Sequence, residues 1–346
     1  MPLFQGKILV TGATGIVGTA IVLEIAKAGF KVRGSTRSAS KAEQWSAKYP
    51  DVGIEWVYVQ DQKADPSEGI YDEAVVGCDA AIHVAGPYTL THKSGEEIMV
   101  PQLNGIKSIL SACHKEKSIK RLVYTSTVAA INPDPHLGLS PAEQRAYTED
   151  DWNPTTWEKG SSSSGQHMPV TSYCCGKTLA EKYAWEFMSS NQPSFDLVAL
   201  CPATGYGPPL QVLHSLHNLD AASARLWSHI THAQTTIPGD PSPVFTNVYD
   251  TAEMHLNALT WPSAAGKRFQ IVSGSYSYAR IFSILKSAFP EHAHRFPVIE
   301  DQGLPLNPCF TADCTRAKRE LGFRPRSLEE TVIDQAKVLF DLEKKE

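Results

Sequence analysis

The chain is poor in three things that would each define a class of protein. Cysteine comes first: there are seven in 346 residues, namely Cys78, Cys113, Cys174, Cys175, Cys201, Cys309 and Cys314. They are odd in number and form no framework. Cys309 and Cys314 would make half a metal site, but no second Cys/His pair follows at ligand spacing, so neither a disulfide scaffold nor a bound metal is expected. Basic charge is also scarce. Lys and Arg total 32 against 37 acidic residues, a net charge of -5 at pH 7, which argues against nucleic-acid and anionic-membrane partners. Long apolar runs are missing too, and the longest falls far short of a membrane span. Met1 to Lys7 leads straight into a hydrophobic strand, leaving no room for a signal peptide. These absences point to a cytoplasmic protein. No internal repeat is evident.

Apolar residues make up 42% of the chain, ample for a buried core in one large domain or two fused lobes. In the first half, apolar runs alternate with helical patterns. Strands are expected at Lys7–Val10, from Lys31, at Ile54–Val59, Ala80–Ala85, Leu122–Ser126 and Phe195–Leu200. Helical stretches separate them, notably Glu96–Glu116 and Ser172–Ser190, and Gly29 ends the first helix. Such alternation means βαβ units and a parallel sheet. After Cys201 the prolines at 202, 208 and 209 break the pattern. The expected fold is α/β: a Rossmann-type doubly wound parallel sheet over residues 1–200, with strands returning near 244–274. A smaller, mostly helical substrate lobe over 201–346 ends in an amphipathic helix at Leu328–Leu342. The link from Ala129 to Gln166, with four consecutive serines, reads as a mobile surface loop near the active site.

The first strand runs into Thr11-Gly12-Ala13-Thr14-Gly15-Ile16-Val17-Gly18. A Cβ at Gly12 would block the tight turn. One at Gly15 would hold the backbone off a pyrophosphate, and Gly18 permits close helix–strand packing. The following helix offers its N-terminal N–H groups and dipole to phosphate, so Gly12 through Val17 form the candidate dinucleotide site. The second strand continues Val32-Arg33-Gly34-Ser35-Thr36-Arg37-Ser38-Ala39-Ser40-Lys41, with no carboxylate before Glu43. An acid at Gly34 would repel a 2′-phosphate, whereas Arg37 offers a planar donor fork and Lys41 a point charge. The expected cofactor is therefore NADP(H). Asp61, with Gln62 beside it, is placed to meet the adenine, and the small Ala85 leaves space for the cofactor across the sheet.

Tyr173 and Lys177 stand four apart, on one face of a helix. An ammonium beside a phenol stabilises the phenolate, so Tyr173 is the candidate general acid and Lys177 its partner, within reach of the nicotinamide ribose. A hydroxyl helper is expected at the end of the fifth strand, in Ser126 or Thr127.

These segments, together with Val32–Arg37, His83–Tyr88, Leu179–Lys182, Ala184–Phe187, Cys201–Ala203, Tyr206–Pro208, Asn247–Ala252 and Leu321–Phe323, resemble the extended short-chain dehydrogenases/reductases of the NAD-dependent epimerase/dehydratase superfamily. The likeness covers nearly the whole chain. Within that superfamily it is nearest to the dihydroflavonol reductase-like branch, which includes NADPH-dependent methylglyoxal, aldehyde and ketone reductases. The resemblance implies that Pro202 and Ala203 line the nicotinamide. It places Thr127 where the family has its catalytic Ser. Thr171-Ser172 before Tyr173 and Cys174-Cys175 after it depart from the cinnamoyl-CoA reductase pattern, which argues against a CoA thioester.

Pro87, Tyr88, Val128, Ala129 and Tyr206 are the candidate substrate walls. They are apolar and carry no basic cluster, so a small, mostly apolar carbonyl compound is the expected partner, acted on by a monomer or homodimer. The same residues would serve a hydroxysteroid or alcohol dehydrogenase, or a sugar-nucleotide epimerase. A non-catalytic NADP-sensing regulator would have no need of Tyr173 and Lys177.

Overall fold

The computed structural model describes residues 6–86, 94–133, 145–231, 243–297 and 311–346. The chain opens with β1 (Lys7–Thr11), α1 (Ile16–Lys27), β2 (Lys31–Thr36), α2 (Ala39–Lys48), β3 (Glu55–Tyr58), α3 (Asp72–Val75), β4 (Ala80–His83), α4 (Gly95–Lys115) and β5 (Arg121–Thr125). It continues with β6 (Ala146–Tyr147), α5 (Trp157–Ser161), α6 (Met168–Asn191), β7 (Asp196–Pro202), β8 (Thr204–Tyr206), α7 (Ala221–Thr231), β9 (Val244–Asn247) and α8 (Val248–Thr260). The last elements are β10 (Arg268–Ile271), β11 (Gly274–Ser275), α9 (Tyr278–Ala288), β12 (Thr311–Ala312), α10 (Thr315–Glu320) and α11 (Leu328–Glu343).

Seven strands form one parallel sheet in the order β3-β2-β1-β4-β5-β7-β10. This is the Rossmann-type arrangement, and the order reverses between β1 and β4, where a ligand crevice opens at the carboxyl ends of the strands. β4, β5 and β10 are buried along their whole length, as strands covered by helices on both faces must be. The aliphatic side chains of β1, β4, β5 and β7 divide between the two layers: Ile8, Val10, Ile82, Val123, Val198 and Leu200 face one, while Leu9, Ala81, Leu122 and Leu197 face the other. Arg121 is buried at the opposite end of the sheet. Its guanidinium pairs with Asp196 and donates to the carbonyls of Ala258, Leu259 and Trp261, satisfying the C-terminal end of α8.

Only one of the two expected returning strands rejoins this sheet. β10 pairs with β7, whereas β9 lies between β8 and β11 in a separate three-stranded sheet. That small sheet packs with α7, α9 and α11 around a core rich in aromatics, including Tyr206, Trp227, Phe245, Tyr276, Phe282 and Phe340. The two lobes are also fastened at α2. Lys48 Nζ donates to the carbonyls of Leu210 and Gln211, both at 2.9 Å, and Tyr49 OH donates to Leu210 at 2.6 Å.

The described part of the link after Ala129 is packed, contrary to expectation. Asn153 and Thr155 are buried, β6 pairs with β12, and α5 lies along α6. The sequence pattern was silent because the anchor is distant: the Arg268 guanidinium stacks 3.7 Å from the Trp152 ring centroid and donates to the carbonyls of Glu149 and Asp151. α6 begins a turn before the serine at which the apolar pattern places it, with Pro169 in its first turn, a position that needs no N–H partner.

Candidate active site

The crevice is a cleft of about 700 Å³ running from the start of α1 to α7, and it collects residues from both lobes. At one end stands the glycine turn. Gly12 has φ +65°, and a Cβ there would sit 3.1 Å from the Ala85 Cα. At Gly18 a Cβ would lie 2.1 Å from the Gly12 carbonyl oxygen, so this glycine is needed for α1 to meet the turn. Gly15 differs: its missing Cβ would have only ordinary contact, and the residue lines the cleft. Gly15 is also the N-cap of α1, with no side chain capping the helix and no acid in its first turn. Helix N–H groups left uncapped and facing a cleft are a fitting cradle for a pyrophosphate. Thr11 steadies the turn from behind, accepting the amides of Val84 and Ala85 at 3.0 Å and bonding the His83 ring at 2.9 Å.

Thr14, Gly15, Ile16, Val17 and Lys41 line the cleft. Ala13 is buried behind the turn, its amide donating to Ser35. Arg37 forms an exposed ion pair with Asp61, so the residues read as phosphate and adenine contacts stand side by side. Burial would raise the Asp61 carboxyl, but the Lys63 amide and the Arg37 charge outweigh it and hold the group below its usual range. Gly34 proves unsuited as the selectivity position. A Cβ there would point at Ile54, Trp56 and Ala13, into the core, so an acid at Gly34 would not reach a bound ribose. Gln62 is likewise internal, its amide donating to Tyr71 OH at 3.0 Å and to the Ala85 carbonyl at 3.2 Å.

The other end of the cleft is built by α6 and the turn after β5. Tyr173, Lys177, Thr127, Pro202 and Ala203 all line it. Lys177 is buried; its ammonium donates to the Thr125 carbonyl at 2.7 Å and to Tyr124 OH at 3.2 Å. Burial lowers the Lys177 pKa to about 8, against the upward pull of the Glu181 carboxylate. Behind it His83 stacks on Tyr124, and burial together with the Lys177 charge pushes its pKa down to about 3, so the ring is neutral. The two candidate hydroxyls are not equivalent. Ser126 also borders the cleft, but it donates its proton to the buried Glu181 carboxylate. Thr127 Oγ1 accepts the Ala129 amide at 3.2 Å, which uses a lone pair and leaves its proton to donate.

Two expected substrate walls lie elsewhere. Tyr206 is fully buried in the aromatic core of the second lobe, 5.3 Å from Tyr276 between ring centroids, and Val128 is packed into the aliphatic core. Pro87 and Tyr88 fall outside the described residues. In their place the second lobe contributes Gln211, Asn218 and Arg225, a more polar wall than the apolar one expected. α4 adds Gln102, a buried amide that lines the cleft against Gly176 and has no hydrogen-bond partner among the described residues. An orphaned buried amide facing a cleft is poised to bond a ligand. Its only sequence signal is an amide inside the apolar pattern of α4.

Among the described residues no group of His, Cys, Asp and Glu is arranged to hold a metal. Six of the seven cysteines are described, all buried thiols. No described helix is long and apolar enough to cross a membrane.

A glycine-turned strand and an uncapped helix facing a Tyr–Lys pair across one crevice define a dinucleotide-binding α/β protein with acid–base chemistry. The chain belongs to the NAD dependent epimerase/dehydratase family, whose model matches residues 8–272. It is 30% identical to the NADPH-dependent methylglyoxal reductase GRE2 of Saccharomyces cerevisiae, over 97% of this chain and 99% of that protein. Aldehyde reductase 2 of Sporidiobolus salmonicolor is also 30% identical, over 94% of each chain. The crystal structure of yeast methylglyoxal/isovaleraldehyde reductase Gre2 complexed with NADPH superposes with a TM-score of 0.86 at 27% identity, covering 98% of this chain and all of that one.

Proposed function

We propose that this protein is an NADPH-dependent reductase that converts a small aldehyde or ketone to an alcohol, with Tyr173 as the general acid. The observation that carries the reading is that one cleft is lined by both the uncapped start of α1 and the Tyr173–Lys177 pair. Bound NADPH supplies the hydride. The α1 amides bind its pyrophosphate, Arg37 and Lys41 meet the 2′-phosphate, and Pro202 and Ala203 border the nicotinamide. Thr127 donates a hydrogen bond to the substrate oxygen and Tyr173 delivers the proton. Lys177 holds positive charge beside the phenol and so eases that transfer. A small substrate, mainly apolar but with a hydrogen-bonding group for the far wall, fits the lining. The enzyme is read as cytoplasmic. The protein acts as a monomer or homodimer.

The reading is tested by following NADPH absorbance with a panel of aldehydes, ketones and diketones. Turnover with NADPH and little with NADH is expected. Tyr173→Phe should lose roughly 10²- to 10⁴-fold in kcat while still binding NADPH. A fully active Tyr173→Phe protein would refute the assigned acid.

A further inference from the structure

Four residues beyond Lys177, α6 carries Glu181 on the same stripe as Tyr173 and Lys177. Its carboxylate is 0% exposed, yet no apolar pocket surrounds it. One oxygen accepts from Arg268 Nε at 2.6 Å and from Trp185 Nε1 at 3.2 Å. The other accepts from Ser126 Oγ, from Arg268 Nη2 at 3.1 Å and from the Cys201 thiol at 3.8 Å. Arg268 is itself saturated by the carbonyls of Ala130, Glu149 and Asp151. A fully enclosed ion pair is weak evidence for stability, because desolvation consumes most of the attraction. Its placement is what matters. It grips the three-residue turn that serves the active site: the Ser126 amide donates to Leu200 at 2.7 Å, the carbonyl of Thr125 receives Lys177, and Thr127 follows.

We propose that Glu181 is a positioning residue for reduction: through Ser126 it locks the 125–127 turn that presents Thr127 and the Lys177 acceptor, and it sets a carboxylate one helical turn beyond the ammonium. The inference rests on the assignment of Tyr173 and Lys177 made above. Glu181 touches neither cofactor nor substrate; it acts through the groups that do. Lys177 is faced by His83 from β4, Tyr124 from β5, Glu181 from its own helix and Cys201 from β7, with Arg268 of β10 beyond the carboxylate and Tyr173 one turn earlier on α6. His83 is neutral, and burial raises the Tyr124 phenol and the Cys201 thiol well above their ordinary values. Glu181 is therefore the carboxylate beside Lys177, ion-paired with Arg268. Removing it eases proton loss from the coupled Tyr173–Lys177 pair, whichever member gives up the proton.

The test compares Glu181→Gln, Glu181→Asp, the double variant Glu181→Gln/Arg268→Met and Ser126→Ala, all as the full chain. The double variant keeps the proposal testable if the single one leaves Arg268 unpaired and fails to fold. NADPH affinity by fluorescence and far-UV circular dichroism establish that each protein is folded. In the neutral variants the high-pH limb of the kcat/KM profile should move down by roughly one unit. Glu181→Asp should return the limb to its place. Ser126→Ala keeps the ion pair and should lower kcat about tenfold with the limb and KM unchanged. A folded double variant whose profile superimposes on wild type overturns the electrostatic role, and wild-type kcat in Ser126→Ala overturns the anchoring role. If Tyr173→Phe remains active, the acid itself is misassigned; if that variant is dead while the Glu181 and Ser126 variants match wild type, only the present inference fails.

Discussion

The two ends of the cleft are built from different materials. At the α1 end the working parts are main-chain amides and absent side chains: three glycines and a helix start that nothing caps. At the α6 end they are side chains, several of them buried charges or phenols, held by partners far apart in sequence. A backbone site is specified locally, by conformation and close approach. A side-chain site is specified by packing that brings Glu181 to Arg268 across 87 residues. The first should tolerate changes of charge and fail when atoms are added; the second should respond the other way.

Beyond Tyr173→Phe, the largest expected effect breaks the chemistry at the α6 end. Thr127→Val should lower kcat by roughly 10²-fold, well beyond Ser126→Ala, with little change in NADPH affinity; equal losses in the two variants would dissolve the distinction drawn between these hydroxyls. Next is an added-atom test at the α1 end. Gly18→Val places its Cβ against the Gly12 carbonyl and should cost about 2 kcal/mol of stability or more, read by urea titration, with NADPH binding weakened in parallel. Removal of a charge at that end should be gentler. Arg37→Ala should raise the KM for NADPH about tenfold and leave that for NADH unchanged, because Lys41 remains; an equal rise for both cofactors would count against the phosphate contact.

The smallest effect comes from the neutral histidines behind the catalytic end. Burial holds His83 to about pKa 3 and His255 to about 4, against 6.5 for the free side chain. Both folded values are depressed, so as pH falls below 6.5 the unfolded chain takes up protons that the native state refuses, and stability declines until the folded values are reached. Between pH 7 and 6 the loss should total about 1 kcal/mol, and His255→Gln should flatten the slope by about half. An unchanged slope would mean that these rings are not neutral in the native state.

The same contrast explains what the amino-acid sequence disclosed. The glycine spacing, the strand–helix alternation and the Tyr–Lys pair are short-range patterns, and they led directly to the parallel sheet and to the two ends of the cleft, but not to the wall that the second lobe supplies. Ser126 and Thr127 were indistinguishable as adjacent hydroxyls; only the buried Glu181 beneath one of them separates the two. Tyr206 is one of the apolar residues expected as substrate walls, yet β8 turns it into the aromatic core. Gly34 drew attention by its distance from the glycine motif, whereas its neighbours are Ile54 and Trp56 on the adjoining strand. The packed link around Trp152 was invisible because its anchor, Arg268, lies more than a hundred residues downstream.

The seating of α6 against its neighbours has an evolutionary corollary. A Cβ at Gly95 or Gly160 would come within 2.4 Å of a facing atom, and one at Gly176 within 2.8 Å. None of these glycines adopts a left-handed backbone, so what protects them is crowding alone. Substitutions at the rim of the cleft meet no such crowding, while the helix bearing Tyr173 has no room for even a methyl group at these three contacts. Diversification of this scaffold should be read in its walls, and its reaction geometry in the spaces that stay empty.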